Sequence, residues 1–282
     1  MSVANFVRFV DEKGATVYGE LSPSELTGRL EGKTATVLSG DPFTGFSKTG
    51  NQATIKKLLS PVESAPLFIC IGLNYAQHAK ESGLPVSTYP AVFTKPADAI
   101  AGPYEDIPVH PDAQPELDYE GEFTVIIGKD AKNVSKDDAL NYVLGYTVGN
   151  DVSARNFQIP GIVGGNQFCY AKSFDKFAPI GPSVLLANSS VDPQKFKYTT
   201  KINGEIRQQT GTDDMIFSVK EIIAHLSRGT TLRKGTVIMT GTPSGVGIFM
   251  EPKGTGFLKD GDVMEIEVEG IGAIANKIVF EK

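Results

Sequence analysis

Glu116-Leu-Asp-Tyr-Glu-Gly-Glu-Phe-Thr-Val-Ile-Ile-Gly128 places acids at every second position and then enters an apolar run. Phe-Thr-Val-Ile-Ile has the length and the β-branched, aromatic content of a buried strand. In an extended chain, side chains two apart point to the same face, so Glu120 and Glu122 are expected side by side. Carboxylates that close repel unless a proton or a cation lies between them. The run is too apolar for a solvated hairpin, so the pair is expected to face a cavity, with a hard divalent cation as occupant. Asp151 follows the strand-like Val143-Leu-Gly-Tyr-Thr-Val-Gly149 and could close a triangle of oxygens. Three carboxylates with waters or substrate oxygens suit six-coordinate Mg2+ or Mn2+, with Ca2+ also possible. From spacing alone the acids read equally well as gatekeepers on a solvated edge.

Outward from this stretch, short apolar runs alternate with Gly- and Pro-rich connections. Strands are expected at 4–10, 16–21, 67–73, 91–94, 122–127, 143–149, 183–187, 197–202, 236–240, 263–268 and 273–279. Asp11-Glu-Lys-Gly14 reads as a hairpin turn. Helices are expected around 75–81, at 135–142 with Ser135 as N-cap, and at 218–227, where Ser218 and Glu221 form a capping box. This pattern predicts an α+β, β-rich fold of the roll or sandwich type. The polar segment 1–64 reads as a small N-terminal domain of short strands, and 65–282 as the catalytic domain. Neither the strand–helix alternation of a doubly wound sheet nor a GxGxxG or Walker-type loop is present. Gly241-Thr-Pro-Ser-Gly-Val-Gly247 is Gly-rich but lacks the phosphate-binding lysine.

The net charge of −6 over 282 residues argues against nucleic acid or an anionic membrane as partner. No apolar stretch approaches the roughly 20 residues of a bilayer span. The opening Met-Ser-Val-Ala-Asn-Phe-Val-Arg-Phe-Val reads directly as a strand, and a cytoplasmic location is expected. Cys70 and Cys169 both lie among apolar residues and are expected to be buried thiols, not a disulfide. With two cysteines and three histidines, zinc is disfavoured and an oxygen-ligand site favoured.

Five segments occur in the order seen in one family: Ile71-Gly-Leu-Asn-Tyr-Ala-Gln-His-Ala-Lys-Glu81, Asp118-Tyr-Glu-Gly-Glu122, Gly149-Asn-Asp-Val-Ser-Ala-Arg155, Lys172-Ser-Phe-Asp-Lys-Phe-Ala-Pro-Ile-Gly-Pro182 and Thr240-Gly-Thr-Pro-Ser-Gly-Val-Gly247. From about residue 67 to the C-terminus the chain resembles the fumarylacetoacetate hydrolase family. The resemblance implies a mixed β-sandwich roll, a homodimer, and Mg2+ or Mn2+ held at Glu120, Glu122 and Asp151. It also implies small 2-keto or 2,4-diketo acids as substrates.

His78 and Glu81, three apart on a helical turn, share a face, and a carboxylate beside imidazole orients the ring as a base. Taken alone, such a pair is more commonly a surface pair. The resemblance instead implies a water-activating dyad, often on a lid, which Gly72 and Gly83 would let move. His110 and His225 look structural. Lys95 and Lys172 lie among apolar residues and need either an acidic partner or a path to water. The resemblance favours Lys172 as the cation beside the metal, and Lys95 is expected among the substrate-binding residues. Arg155 and Gln158 could grip a substrate carboxylate or keto oxygen, and Thr242 the same carboxylate, unless its turn is purely structural. Three departures from the family pattern, Asn156, the absence of Trp in 157–168, and Ala171, lie near the substrate pocket.

The expected activity is divalent-metal-dependent hydrolysis of a carbon–carbon bond in a small 2,4-diketo acid of the acylpyruvate or fumarylpyruvate type, through a metal-bound enolate. An oxaloacetate tautomerase or decarboxylase, or a hydroxy-dienoate isomerase, would use the same groups without an attacking water. A non-catalytic metal- or carboxylate-binding protein would need neither the dyad nor the lysine.

Overall fold

A computed structural model describes residues 3–158 and 168–282. The strand Gly121–Ile127 is buried along its whole length. Its β-branched and aromatic residues suit a strand covered on both faces. It pairs antiparallel with Val143–Asn150 on one side and Val237–Met239 on the other. Beyond Val143–Asn150 the sheet continues through Ala178–Leu186 to Asn5–Val10. Beyond Val237–Met239 it continues through Phe68–Gly72 to Ala91–Lys95. Among the described residues this sheet has 12 strands. Asn5–Val10 also pairs with Thr16–Glu20, so the N-terminal strands extend the same sheet. The turn between them is the expected one, with Asp11 Oδ1 accepting from the amides of Lys13 and Ala15.

A second sheet contains Glu205–Gly211, Lys197–Ile202, Val263–Val268, Gly272–Phe280 and Ile107–Val109. Phe123, Val125 and Ile127 share a core with Tyr198, Ile266 and Ile274 of that sheet and with Ile222 and Ile223 of the helix Val219–Leu226. Ile126 joins a different core, with Phe6, Phe68 and Val237. Truncating a residue such as Phe123 would cost about 3–5 kcal/mol. The alternation places Glu122, in step with Ile126, on the face away from the second sheet. Gly121 is where the two sheets close: a Cβ there would lie 2.0 Å from Thr200 Oγ1. No larger residue fits without moving the sheets apart.

The helix Val219–Leu226 has the expected capping box, with Ser218 Oγ accepting from Glu221 N and Glu221 accepting from Ser218 N. The expected helix at 135–142 is reduced to a 3-10 turn at Ala139–Tyr142. Lys136, Asp137 and Asp138 are exposed, and Val143 already belongs to the next strand, so too few residues remain to bury an apolar helix face. The strand expected at 183–187 begins earlier, at Ala178. Cys70 is buried and Cys169 is exposed, both as free thiols. The expectation for Cys169 is corrected because its short helix, Phe168–Ala171, turns that side chain outward. Among the described residues no helix is long and apolar enough to cross a membrane.

Candidate active site

Sheet register assembles the three carboxylates. Gly121 pairs with Asn150, and Asp151 N donates to Glu120 O at 2.9 Å. Asn150 Oδ1 accepts from Glu120 N at 2.9 Å, fixing the same corner from the side chain. One carboxylate oxygen from each of Glu120, Glu122 and Asp151 lies within 4.8 Å of the others, and all three residues are buried.

Cations surround two of the three. Lys172 Nζ lies 2.7 Å from both Glu120 Oε2 and Asp151 Oδ2. Arg155 Nη2 lies 2.6 Å from Glu120 Oε1. Lys95, fully buried, puts Nζ 2.5 Å from Asp151 Oδ1, while its hydrogen bonds go to the carbonyls of Val152 and Phe177. Neither lysine runs out to water. Burial alone would raise the Glu120 carboxyl, but Lys172 and Arg155 outweigh it and hold it well below the usual range. The same acids, Asp151 and Glu120, overcome desolvation at Lys172 and raise its ammonium. Among the described residues Glu122 has no ion pair; it accepts from Gly241 N at 2.7 Å. Burial, then Asp151 and Glu120, push its carboxyl well up.

These observations fit a hard divalent ion. Buried Asp151 Oδ1 meets Lys95 Nζ as an ion pair but accepts no hydrogen bond of regular geometry among the described residues, which leaves it lone pairs for an ion. Among the described residues four buried acids, Asp118, Glu120, Glu122 and Asp151, gather around three buried cations, Lys95, Arg155 and Lys172. An all-oxygen donor set with excess negative charge is what Mg2+, Mn2+ or Ca2+ requires.

Opposite stands the dyad. His78 Nδ1 lies 2.9 Å from Glu81 Oε2, and Gly245 N donates to Glu81 Oε1 at 2.8 Å. With Glu81 ionised, the hydrogen bond assigns the ring proton to Nδ1 and leaves Nε2 as acceptor. The helix Ala76–Ser82 carrying the pair ends at Gly83, whose φ of 67° suits the C-terminal cap. Just before it, buried Asn74 donates to Thr240 O and Phe217 O and accepts from Phe217 N.

His78, Glu120, Arg155, Gln158, Lys172 and Thr242 line one cavity of about 480 Å3, whose outer wall includes Leu84, Phe168 and Phe249. A hollow of about 530 Å3 beside Phe43, Lys129 and Tyr142 has no acid or histidine in its lining. Of these two, only the smaller carries an acid and a histidine in its lining.

Arg155 and Gln158 are less free than the sequence suggests. The guanidinium donates to Asp118 Oδ2 and Gln158 Oε1, each at 2.9 Å, besides meeting Glu120. The Thr242 hydroxyl donates to Gly121 O at 3.0 Å and accepts from Gln208 Nε2 at 2.8 Å. Asn156 donates to Asp112 O. The stretch lacking Trp lies mostly outside the described residues. Sequence reasoning passed over Asp118 and Gln208. Asp118 was visible only as one more acid in the alternating run, and nothing local marks Gln208, whose Oε1 accepts from Gly121 N at 3.0 Å.

A family model described as Fumarylacetoacetate (FAA) hydrolase C-terminal matches residues 67–279. The chain is 42% identical over 221 residues, 78% of its length and 69% of the relative's, to "Oxaloacetate tautomerase FAHD2A, mitochondrial" of Bos taurus. Among solved structures it is similar to the 5-carboxymethyl-2-hydroxymuconate delta-isomerase from Mycobacterium smegmatis, with TM-score 0.81 and 32% identity, covering 98% of this chain and 100% of that one. It is also similar to the fumarylacetoacetate hydrolase from Exiguobacterium antarcticum, with TM-score 0.78 and 33% identity, covering 99% and 100%. With the family model spanning most of its length, the chain belongs to the fumarylacetoacetate hydrolase family, a family of enzymes.

Proposed function

We propose that this enzyme cleaves a carbon–carbon bond in a small 2,4-diketo acid of the acylpyruvate or fumarylpyruvate type. The observation that carries the proposal is that Glu120 of the carboxylate trio and His78 of the His78–Glu81 dyad line one cavity together with Lys172 and Arg155. Glu120, Glu122 and Asp151 would hold Mg2+ or Mn2+, with Ca2+ also suited to the donors, and the ion supplies Lewis acidity toward the 2-keto-acid oxygens. Lys172 brings positive charge to the same end and offsets charge developing on the substrate. His78, oriented by Glu81, takes a proton from water, and the hydroxide adds to the distal carbonyl. The bond to C3 then breaks, its electron pair passes into the pyruvate enol, and the proton returns from His78 to the product. Lys95 acts through Asp151, and Arg155 with Gln158 and Thr242 shapes the inner wall that receives the substrate carboxylate.

A second reading is oxaloacetate tautomerisation or decarboxylation, or hydroxy-dienoate isomerisation; relatives named as an oxaloacetate tautomerase and as isomerases favour its first and last forms. Here the base moves a proton at carbon and no water attacks. The proposal includes residues 1–64 as an N-terminal unit, a homodimer and a cytoplasmic location; the Bos taurus relative is named as mitochondrial.

The test follows the protein with Mg2+ and, separately, acylpyruvate, fumarylpyruvate and oxaloacetate by NMR. Release of pyruvate with the matching acid supports hydrolysis. Keto–enol exchange of oxaloacetate without cleavage of the diketo acids moves the assignment to the tautomerase. No metal-dependent change in any of the three sinks both readings.

A further inference from the structure

The Gly-rich turn does not act as a phosphate loop. Three of its glycine amides instead donate to three different carboxylates: Gly241 to Glu122 at 2.7 Å, Gly245 to Glu81 at 2.8 Å and Gly247 to Asp118 at 2.7 Å. One belongs to the carboxylate trio, one to the base dyad, and the third is fully buried and has no role in the proposed chemistry.

Asp118 is saturated. Its Oδ1 accepts from Gly247 N and from Tyr119 N at 2.9 Å. Its Oδ2 accepts from Arg155 Nε at 2.9 Å and from Ile248 N at 3.1 Å. With four N–H groups on two oxygens it has no lone pair aimed at an ion. On one side it fixes Arg155, which grips Glu120. On the other it fixes the end of the loop whose Gly245 orients Glu81 and whose Phe249 ring lies 5.8 Å from that of His78. The approach leaves no slack: a Cβ on Gly247 would lie 2.6 Å from Asp118 Oδ1. The Tyr119 hydroxyl, donating to Gly245 O at 2.8 Å, braces the same loop.

We propose that Asp118, acting through Arg155 and the loop 241–247, is a positioning residue that holds the carboxylate trio and the His78–Glu81 dyad in one geometry. Ion affinity and turnover then depend on it together. This deepens the functional reading above and rests on it only for the turnover measurement.

Asp118→Asn keeps the volume but in either amide orientation sets a donor against two N–H donors. Charge-assisted hydrogen bonds of this kind make the expected loss about tenfold in Mn2+ affinity. A similar fall, on the order of tenfold, is expected in kcat at saturating Mn2+, with KM little changed. The ring 15N signals of His78, one of three histidines, should also move in the Mg2+ form. A folded variant, judged by circular dichroism, with wild-type Mn2+ affinity and kcat overturns the proposal, as does one in which only one of the two moves. Should Asp118→Asn not fold, Tyr119→Phe decides by removing a single hydroxyl. A several-fold lower kcat with shifted His78 signals supports the coupling, and wild-type values for both overturn it. If the wild-type protein turns over no keto acid, the functional reading fails, and Mn2+ affinity with the His78 spectrum still decides the role of Asp118.

Discussion

At one end of the site, Glu120, Glu122 and Asp151 sit at the ends of paired strands, buried among Lys95, Arg155 and Lys172. At the other, His78 and Glu81 ride on a seven-residue helix, and Glu81 is partly open to solvent. A helix that short does not stand alone in water. It is held by its neighbours: Gly245 N on Glu81, and Asp214 Oδ2 accepting from Gln77 N at 3.1 Å. The ion end draws its geometry from sheet register and from charges that cannot be separated cheaply. The base end draws its geometry from a few hydrogen bonds. Substitutions at the first should therefore disturb both folding and chemistry, and those at the second chemistry alone.

The largest effect is expected from Glu122→Ala. Without the carboxylate that has no ion pair among the described residues, ion binding and turnover collapse together, by several kcal/mol or on the order of 10³ in rate. Calorimetric Mn2+ titration beside a turnover assay checks this, and retained ion binding would break the contrast between the two ends. Lys172→Met comes next. It leaves Glu120 and Asp151 facing each other with one fewer cation, and breaking a buried pair of this kind costs about 3–5 kcal/mol. Thermal melts should show a large loss in metal-free protein, partly restored by Mg2+. The same loss with and without ion would deny that the trio is a cation site.

Glu81→Gln tests the base end. Hydrolysis should fall by roughly 10²-fold, with enolisation, melting temperature and Mn2+ affinity near wild type. A matching loss of stability would show that the base end is as structural as the ion end. Ser218→Ala, behind the sheet, supplies the smallest effect, about 1 kcal/mol from the lost cap, with ion affinity unchanged. Its partner Glu221 is held at about 2 by Lys136 and then Ser218. Because that value lies below the ordinary 4.5, its contribution is complete above about pH 4.5 and is lost as pH falls toward 2. The stability gap between Ser218→Ala and wild type should narrow over that interval in urea melts.

Much of this was legible in the sequence because its signals are local. The run Phe123–Ile127 announces a strand by composition, and Ser218 with Glu221 announces a helix start by spacing. The alternation of Glu120 and Glu122 brings two carboxylates together whatever surrounds them. The 135–142 segment misled because Ser135 does accept from Asp138 N at 3.2 Å, a helix-like start, while the sheet claims Val143 before an apolar face can form. Cys169 misled because apolar neighbours in sequence need not be neighbours in space. Asp118 and Gln208 were missed for a different reason. Their partners Gly247 and Gly121 lie 129 and 87 residues away, and no periodicity records such contacts.

The most direct measurement removes the metal with chelator and follows keto-acid turnover while Mn2+ is titrated back. The account predicts no turnover in the metal-free protein and recovery that saturates at one ion per chain, lost when Glu122 is replaced. Full turnover in chelator, or recovery indifferent to Glu122, would contradict it.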